Sequence, residues 1–240
     1  MKWKHIFWIL LLLVTPVLTF AHGYWLDISG NGKVGAAVTI HIFFGEIDSH
    51  GVRQREKFET PPAGNEFNIF VIDPKGVRTP LKVSAEPDGW KAVFLPTVNG
   101  SYRIFAESHK LPVVERSGPG KQNIRPIEYL YGAYTVGKPT LLSPSQQDMD
   151  ILHNTHNDMT AVTVYQNGKV VPAGIKLRIF NPDNWEKQLE TDSLGKAEFF
   201  PKRKGLYIIR FDWYDKMPGE YNKVGFTSIR YRCNLCLDVK

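Results

Sequence analysis

Short runs of β-branched and aromatic residues, each closed by glycine, proline or Asn-Gly, recur between residues 38 and 239. No amphipathic stretch of ten or more residues interrupts them. This rhythm admits little except an all-β chain of short strands folded as a sandwich or barrel. Residues 38–44 read as a strand between Gly35 and Gly45, and residues 67–72 as one closed by the turn Asp73-Pro74-Lys75-Gly76. Residues 81–85 and 90–95 flank Pro87-Asp88-Gly89. Asn99-Gly100 leads into a strand over 101–106, and another over 129–136 ends at Gly137-Lys138-Pro139. After Pro139 the rhythm restarts. Residues 161–165 run into Asn167-Gly168, a hairpin dipeptide. Residues 175–180 alternate apolar and polar, and further strands are expected at 196–200, 206–213 and 227–239. Pro, Ser and Gln gather between 139 and 149, which sets the expected organisation: β-sandwich domains over 22–138 and 139–240.

The first 21 residues read as a cleaved secretory signal. A basic start precedes the apolar run of residues 6–14, and Thr19 and Ala21 place small residues at the −3 and −1 positions before His22. The other reading is a retained anchor, but the run is short for a bilayer core of about 30 Å. No Cys follows it, so a lipoprotein is not indicated. No later stretch approaches the ~20 apolar residues of a membrane helix. The expected location is the periplasm or outside the cell. The formal net charge of +6 falls to +4 once Lys2 and Lys4 are removed, too weak to argue for a nucleic-acid partner.

The run "NGKVVPAGIKLRIF" (167–180), followed by "TDSLGKAEFF" (191–200) and "KGLYIIRF" (204–211), resembles the transthyretin-like, or carboxypeptidase-regulatory-like, sandwich. With "AHGYWLDI" (21–28) and "HIFFGE" (41–46), the whole of residues 21–240 resembles a bacterial periplasmic family of largely unassigned function, associated with nickel or cobalt uptake. That resemblance implies two immunoglobulin- or transthyretin-like sandwiches, a divalent transition metal as ligand and a membrane uptake transporter as partner. The tail "RYRCNLCLDV" (230–239) departs from the family pattern.

Cleavage after Ala21 would make His22 the first residue, so that its α-amine and imidazole could chelate one ion. Nitrogen donors of this kind suit copper and nickel, and also zinc. His41 lies in the next strand, and Glu46, Asp48 and His50 follow Gly45 in a loop that could fold back. His22, His41, His50 and Glu46 are therefore the candidate metal ligands. His109 reads as a loop residue. His153 and His156 read as part of a polar linker entering the strand at 160–165, because a three-residue spacing sends their side chains to opposite faces of a strand. The same alternation separates Cys233 from Cys236. Free thiols, a bulged local disulfide and a metal or redox role stay open for that pair.

Aromatic residues make up 12% of the chain, with Tyr24, Trp25, Trp90, Trp185, Trp213 and Tyr214 conspicuous, and core filling is their commoner use. No nucleophile elbow, phosphate loop or dinucleotide fingerprint occurs. The expectation is an exported binding protein that captures nickel, cobalt or copper for an uptake system. Two alternatives are a copper-dependent oxidative enzyme with an N-terminal histidine and a metal-free adhesion or carbohydrate-binding module.

Overall fold

The computed structural model describes residues 22–60, 62–116, 118, 120, 122–142, 144, 145 and 147–240. The signal expected over residues 1–21 lies outside the described residues. Those described form an all-β sandwich without helix. Its centre is one eight-stranded sheet, in the order β14 (Glu186–Glu190), β13 (Lys176–Phe180), β16 (Gly205–Asp215), β19 (Ser228–Val239), β9 (Ile124–Val136), β8 (Gly100–Ser108), β4 (Asn68–Ile72) and β5 (Arg78–Leu81). One face is covered by a second sheet, in the order β1 (Gly23–Ser29), β2 (Val38–Ile47), β7 (Gly89–Phe94) and β6 (Val83–Glu86). Here β3 (Arg53–Arg55) pairs with the far end of β2. The opposite face is covered by β10 (Met149–His156), β11 (Met159–Gln166), β12 (Lys169–Val170) and β15 (Lys196–Phe199). A small hairpin joins β17 (Gly219–Tyr221) to β18 (Val224–Phe226).

The period of two explains the layering. In β8, Ile104 faces the first cover sheet and Phe105 the second. In β9, Leu130 lies between Tyr129 and Tyr131, which face the other way. Both faces of the central strands are buried, so these runs read as nearly continuous apolar sequence. Each fully buried Ile, Leu or Phe among them contributes roughly 1.5–3 kcal/mol.

The two expected sandwiches fuse edge to edge. Strands from residues 68–136 occupy one half of the central sheet and strands from 176–239 the other, joined by β9 and β19, the parallel pair in a sheet otherwise antiparallel. Each core draws on both halves. Phe180, Ile208 and Cys236 pack under the N-terminal cover sheet, while Ile72, Phe105 and Tyr131 pack under the C-terminal one.

Two expectations about local structure are corrected. The polar segment around His153 is not a linker but β10, paired along its length with β11. Asn157 and Asp158 turn between them with φ of 48° and 62°, the twist that two-residue hairpins favour. Gly45 does not end the second strand, which runs on to Ile47. A Cβ on Gly45 would lie 1.9 Å from the Gln54 carbonyl oxygen, so glycine there permits close approach of β3. The Asn167-Gly168 hairpin forms as expected, joining β11 to β12.

Candidate functional site

β1 pairs with β2 so that Tyr24 faces Phe44 and Asp27 faces His41. Extended by one residue, that register sets His22 beside Glu46. His22 Nε2 lies 3.4 Å from Glu46 Oε2 and 3.8 Å from Glu56 Oε2, and the ring stacks on Phe44. Glu56 reaches this point because its N–H donates to the Phe44 carbonyl, carrying the β3 strand's exit past the end of β1. Of the expected ligands, the fold therefore brings His22 and Glu46 together and adds Glu56.

His41 and His50 do not join them, which corrects the expected convergence. His41 lies five residues from Glu46 along β2, about 16 Å at a strand's rise, and the odd spacing sends it to the opposite face. There it sits 3.4 Å from Glu86 and stacks on Phe43, on a face where Arg53 lies over Trp25 and Arg55 over Phe43. His50 sits at the tip of the β2–β3 hairpin, its N–H donating to Asp48 Oδ1. That tip docks on the loop between β13 and β14, where Asn184 accepts from Arg53 and donates to the Gly51 carbonyl. Among the described residues, no group of three or more His, Cys, Asp or Glu side chains is arranged to hold a metal ion.

The cysteines are free and buried on opposite faces of β19, as the alternation requires. Burial pushes the Cys236 thiol up to about 11 and raises the Cys233 thiol well above its ordinary value. A local disulfide or shared metal is thereby excluded for this arrangement. The aromatics divide: Trp25 and Trp90 fill the core, whereas Trp185, Trp213 and Tyr214 are exposed.

Beside β1 the face of the central sheet that carries the first cover sheet turns polar while staying largely buried. Arg178 on β13 and Arg210 on β16 are register partners, as are Arg210 and Asn234 on β19. One rung further, Asp212 and Arg232 face each other, followed by Tyr214 and Arg230. Glu128 and Pro126 on β9 extend these two rungs. Of these, Arg178, Arg210, Arg230, Arg232, Glu128 and Pro126 floor a cleft of about 580 Å³, with His22, Tyr24, Phe44, Tyr214 and Arg116 on its walls. Arg230 donates to Glu128, Arg232 to Asp212 and Arg178 to Glu186, each at 2.7 Å. Among the described residues the hydrogen-bond acceptor of Arg210 is a neutral one, Asn234 Oδ1, at 2.9 Å. Burial, with Arg232 nearby, pulls its guanidinium down to about 9, so it stays charged at neutral pH.

The same rungs hold β1 in place. Arg232 donates to the His22 carbonyl and Asn234 to the Tyr24 carbonyl, while the Leu26 N–H donates to Cys236 Sγ. Three alternate residues of β19 thus satisfy the outer edge of β1 through side chains. A Cβ on Gly23 would lie 2.5 Å from Arg210 Nη2, so a glycine at this position lets the strand seat against the arginine.

Sequence reasoning missed Glu56 and the arginines. The arginine signal was visible: Arg210 interrupts the apolar run Ile208-Ile209-Arg210-Phe211, and Arg230 and Arg232 alternate along β19. What could not be read was that strands distant in sequence bring these arginines to one cleft beside β1.

No known family profile matches this chain, and no curated protein matches it. Among solved structures it is similar to a chain of a bacterial ice-binding adhesin at 8% identity, covering 92% of this chain and 66% of that one, with a TM-score of 0.25. It is similar to the chicken interferon-γ receptor α chain at 12% identity, covering 90% and 98%, with a TM-score of 0.24. Trypsin-activated α2-macroglobulin from Escherichia coli matches at 12% identity, covering 90% of this chain and 15% of that one, with a TM-score of 0.27. The chain thus spans just under two thirds of the adhesin chain and a small part of the macroglobulin. Likenesses this loose carry no argument about function.

Proposed function

We propose that this chain is an exported binding protein that holds a divalent transition metal (nickel, cobalt or copper) at the start of β1 and presents it to a membrane uptake system in the periplasm. The observation that carries the reading is the approach of Glu46 and Glu56 to His22, within 4 Å of its Nε2. One imidazole and two carboxylates are an incomplete set. Cleavage after Ala21 adds the α-amine, which gives two nitrogen and two oxygen donors of the kind borderline metals accept. The amine chelates through Nδ1, and the half-exposed His22 ring can turn about χ2 without backbone movement.

The test compares metal affinity of the processed protein with a form carrying one extra residue before His22. Extension converts the amine to an amide, and affinity for nickel or copper should fall at least tenfold, about 1.4 kcal/mol or more. Glu46→Gln should weaken binding, whereas His41→Ala and His50→Ala should leave it unchanged. Equal affinity of the processed and extended forms would sink the reading.

A further inference from the structure

We propose that the arginine-floored cleft beside β1 binds a small organic oxyanion, a carboxylate or phosphate carried on an apolar body. The cleft concentrates unsatisfied polar atoms. Among the described residues five buried side-chain atoms have no hydrogen-bond partner, and three of them belong to its floor: the donors Arg210 Nη1 and Arg230 Nε, which an oxyanion can satisfy, and the acceptor Glu128 Oε2, which needs a donor such as a ligand hydroxyl. Buried polar groups are ordinarily paired, and an orphan points to a missing partner.

The sign of that partner follows from the charges. Arg116, Arg178, Arg210, Arg230 and Arg232 line the cleft. The carboxylates facing them are Glu128, Glu186 and Asp212, which pair with Arg230, Arg178 and Arg232 respectively. Arg210 and Arg116 have no carboxylate within 4 Å among the described residues. Arg210 is only 3% exposed. A charge so deeply buried costs several kcal/mol unless it is compensated. Its register partner on β13 is a second arginine, and directly opposed like charges are destabilising. An oxyanion between Arg178 and Arg210 would relieve both, and guanidinium forks suit the two oxygens of a carboxylate or phosphate.

The walls specify the body of the ligand. Tyr24, Phe44 and Tyr214 contribute rings, and Leu111 and Val114 contribute apolar surface. Charged floor and apolar walls in a cleft of this volume fit a small organic molecule rather than a bare ion. The proposal goes beyond the metal reading and does not depend on it.

The experiment is calorimetric titration of the processed, EDTA-treated protein with phenyl phosphate, benzoate and benzyl alcohol at low ionic strength. Running it metal-free makes the outcome independent of whether a metal binds at His22. Saturable binding of phenyl phosphate or benzoate, at least about tenfold tighter than the neutral alcohol, is expected. The tighter of the two assigns phosphate or carboxylate as the headgroup. Arg210→Gln should weaken binding at least tenfold. Should that variant fail to fold, Arg178→Gln, at the half-exposed rim, should weaken it several-fold with an unchanged circular-dichroism spectrum. Absence of saturation with both anions at millimolar concentration overturns the proposal, as does binding that neither substitution affects.

Discussion

At the scale of the residue, placement sets chemistry more than residue type does. His153 illustrates this. Burial, with Arg103 nearby, holds its imidazole down at about 4, and among the described residues its Nδ1 has no hydrogen-bond partner. Between pH 6.5 and 4 the unfolded chain therefore binds a proton that the folded chain does not. Stability should fall as pH drops through that window and level off below it. Allowing for the ring's partial exposure, the loss is about 2 kcal/mol. Urea unfolding of the wild type and His153→Gln at pH 7 and pH 4 checks this: the difference between them should shrink or reverse on acidification, and a constant difference would refute it. None of this was legible in the sequence, where His153 looked like a solvated linker residue. The face alternation that separates Cys233 from Cys236 was legible, because it follows from strand geometry alone.

At the scale of the element, β10 shows what sequence patterning conveys and what it omits. Residues 149–156 carry Asp150, His153, Asn154 and His156, too polar to announce a strand. The segment is fixed by a buried ion pair. Arg103 on β8 donates through both terminal nitrogens to Asp150, whose Oδ2 also accepts from the N–H and hydroxyl of Ser145. Tyr131 beneath donates to the Met149 carbonyl and lies against the Arg103 guanidinium. Asp150→Asn removes the carboxylate charge from this buried pair and should cost about 3–5 kcal/mol. Replacing both partners together, as Arg103→Met with Asp150→Leu, should recover a large part of the loss. Chemical denaturation of Arg103→Met, Asp150→Leu and the double variant measures it, and additive losses would show that the pair is not coupled. The strands dense in Val, Ile and Phe were legible because packing and propensity agree there. β10 was not, because its order comes from a partner some fifty residues earlier in the chain.

At the scale of the whole molecule, strands from residues 68–136 and strands from 176–239 lie in the two halves of one central sheet and share its interior. The seam runs between β9 and β19, and each core crosses it. Neither half can lose its cover sheet without exposing side chains of the other. Unfolding should therefore be a single transition, with tryptophan fluorescence, dominated by the buried Trp25 and Trp90, coinciding with far-ultraviolet circular dichroism. Two separated transitions would show that the halves are energetically independent. A parallel pairing across the middle of the chain could not be inferred from local patterning, because turn signals report only what adjacent strands do. The arginine cleft has the same origin: it lies where strands distant in sequence meet beside β1, a property of the assembly.

The side-chain seal along β1 has a consequence for the order of events during synthesis. The contacts that close its outer edge join residues 210 positions apart. While the chain is being made, each residue on the β1 side emerges 210 residues before its partner among Arg232, Asn234 and Cys236. Until β19 arrives, the outer edge of β1 presents unpaired backbone groups, the kind of edge that templates association with another chain. Throughout the synthesis of the intervening residues β1 is thus unsealed. Any interruption before β19 leaves a fragment that retains the sticky edge and lacks the residues that close it.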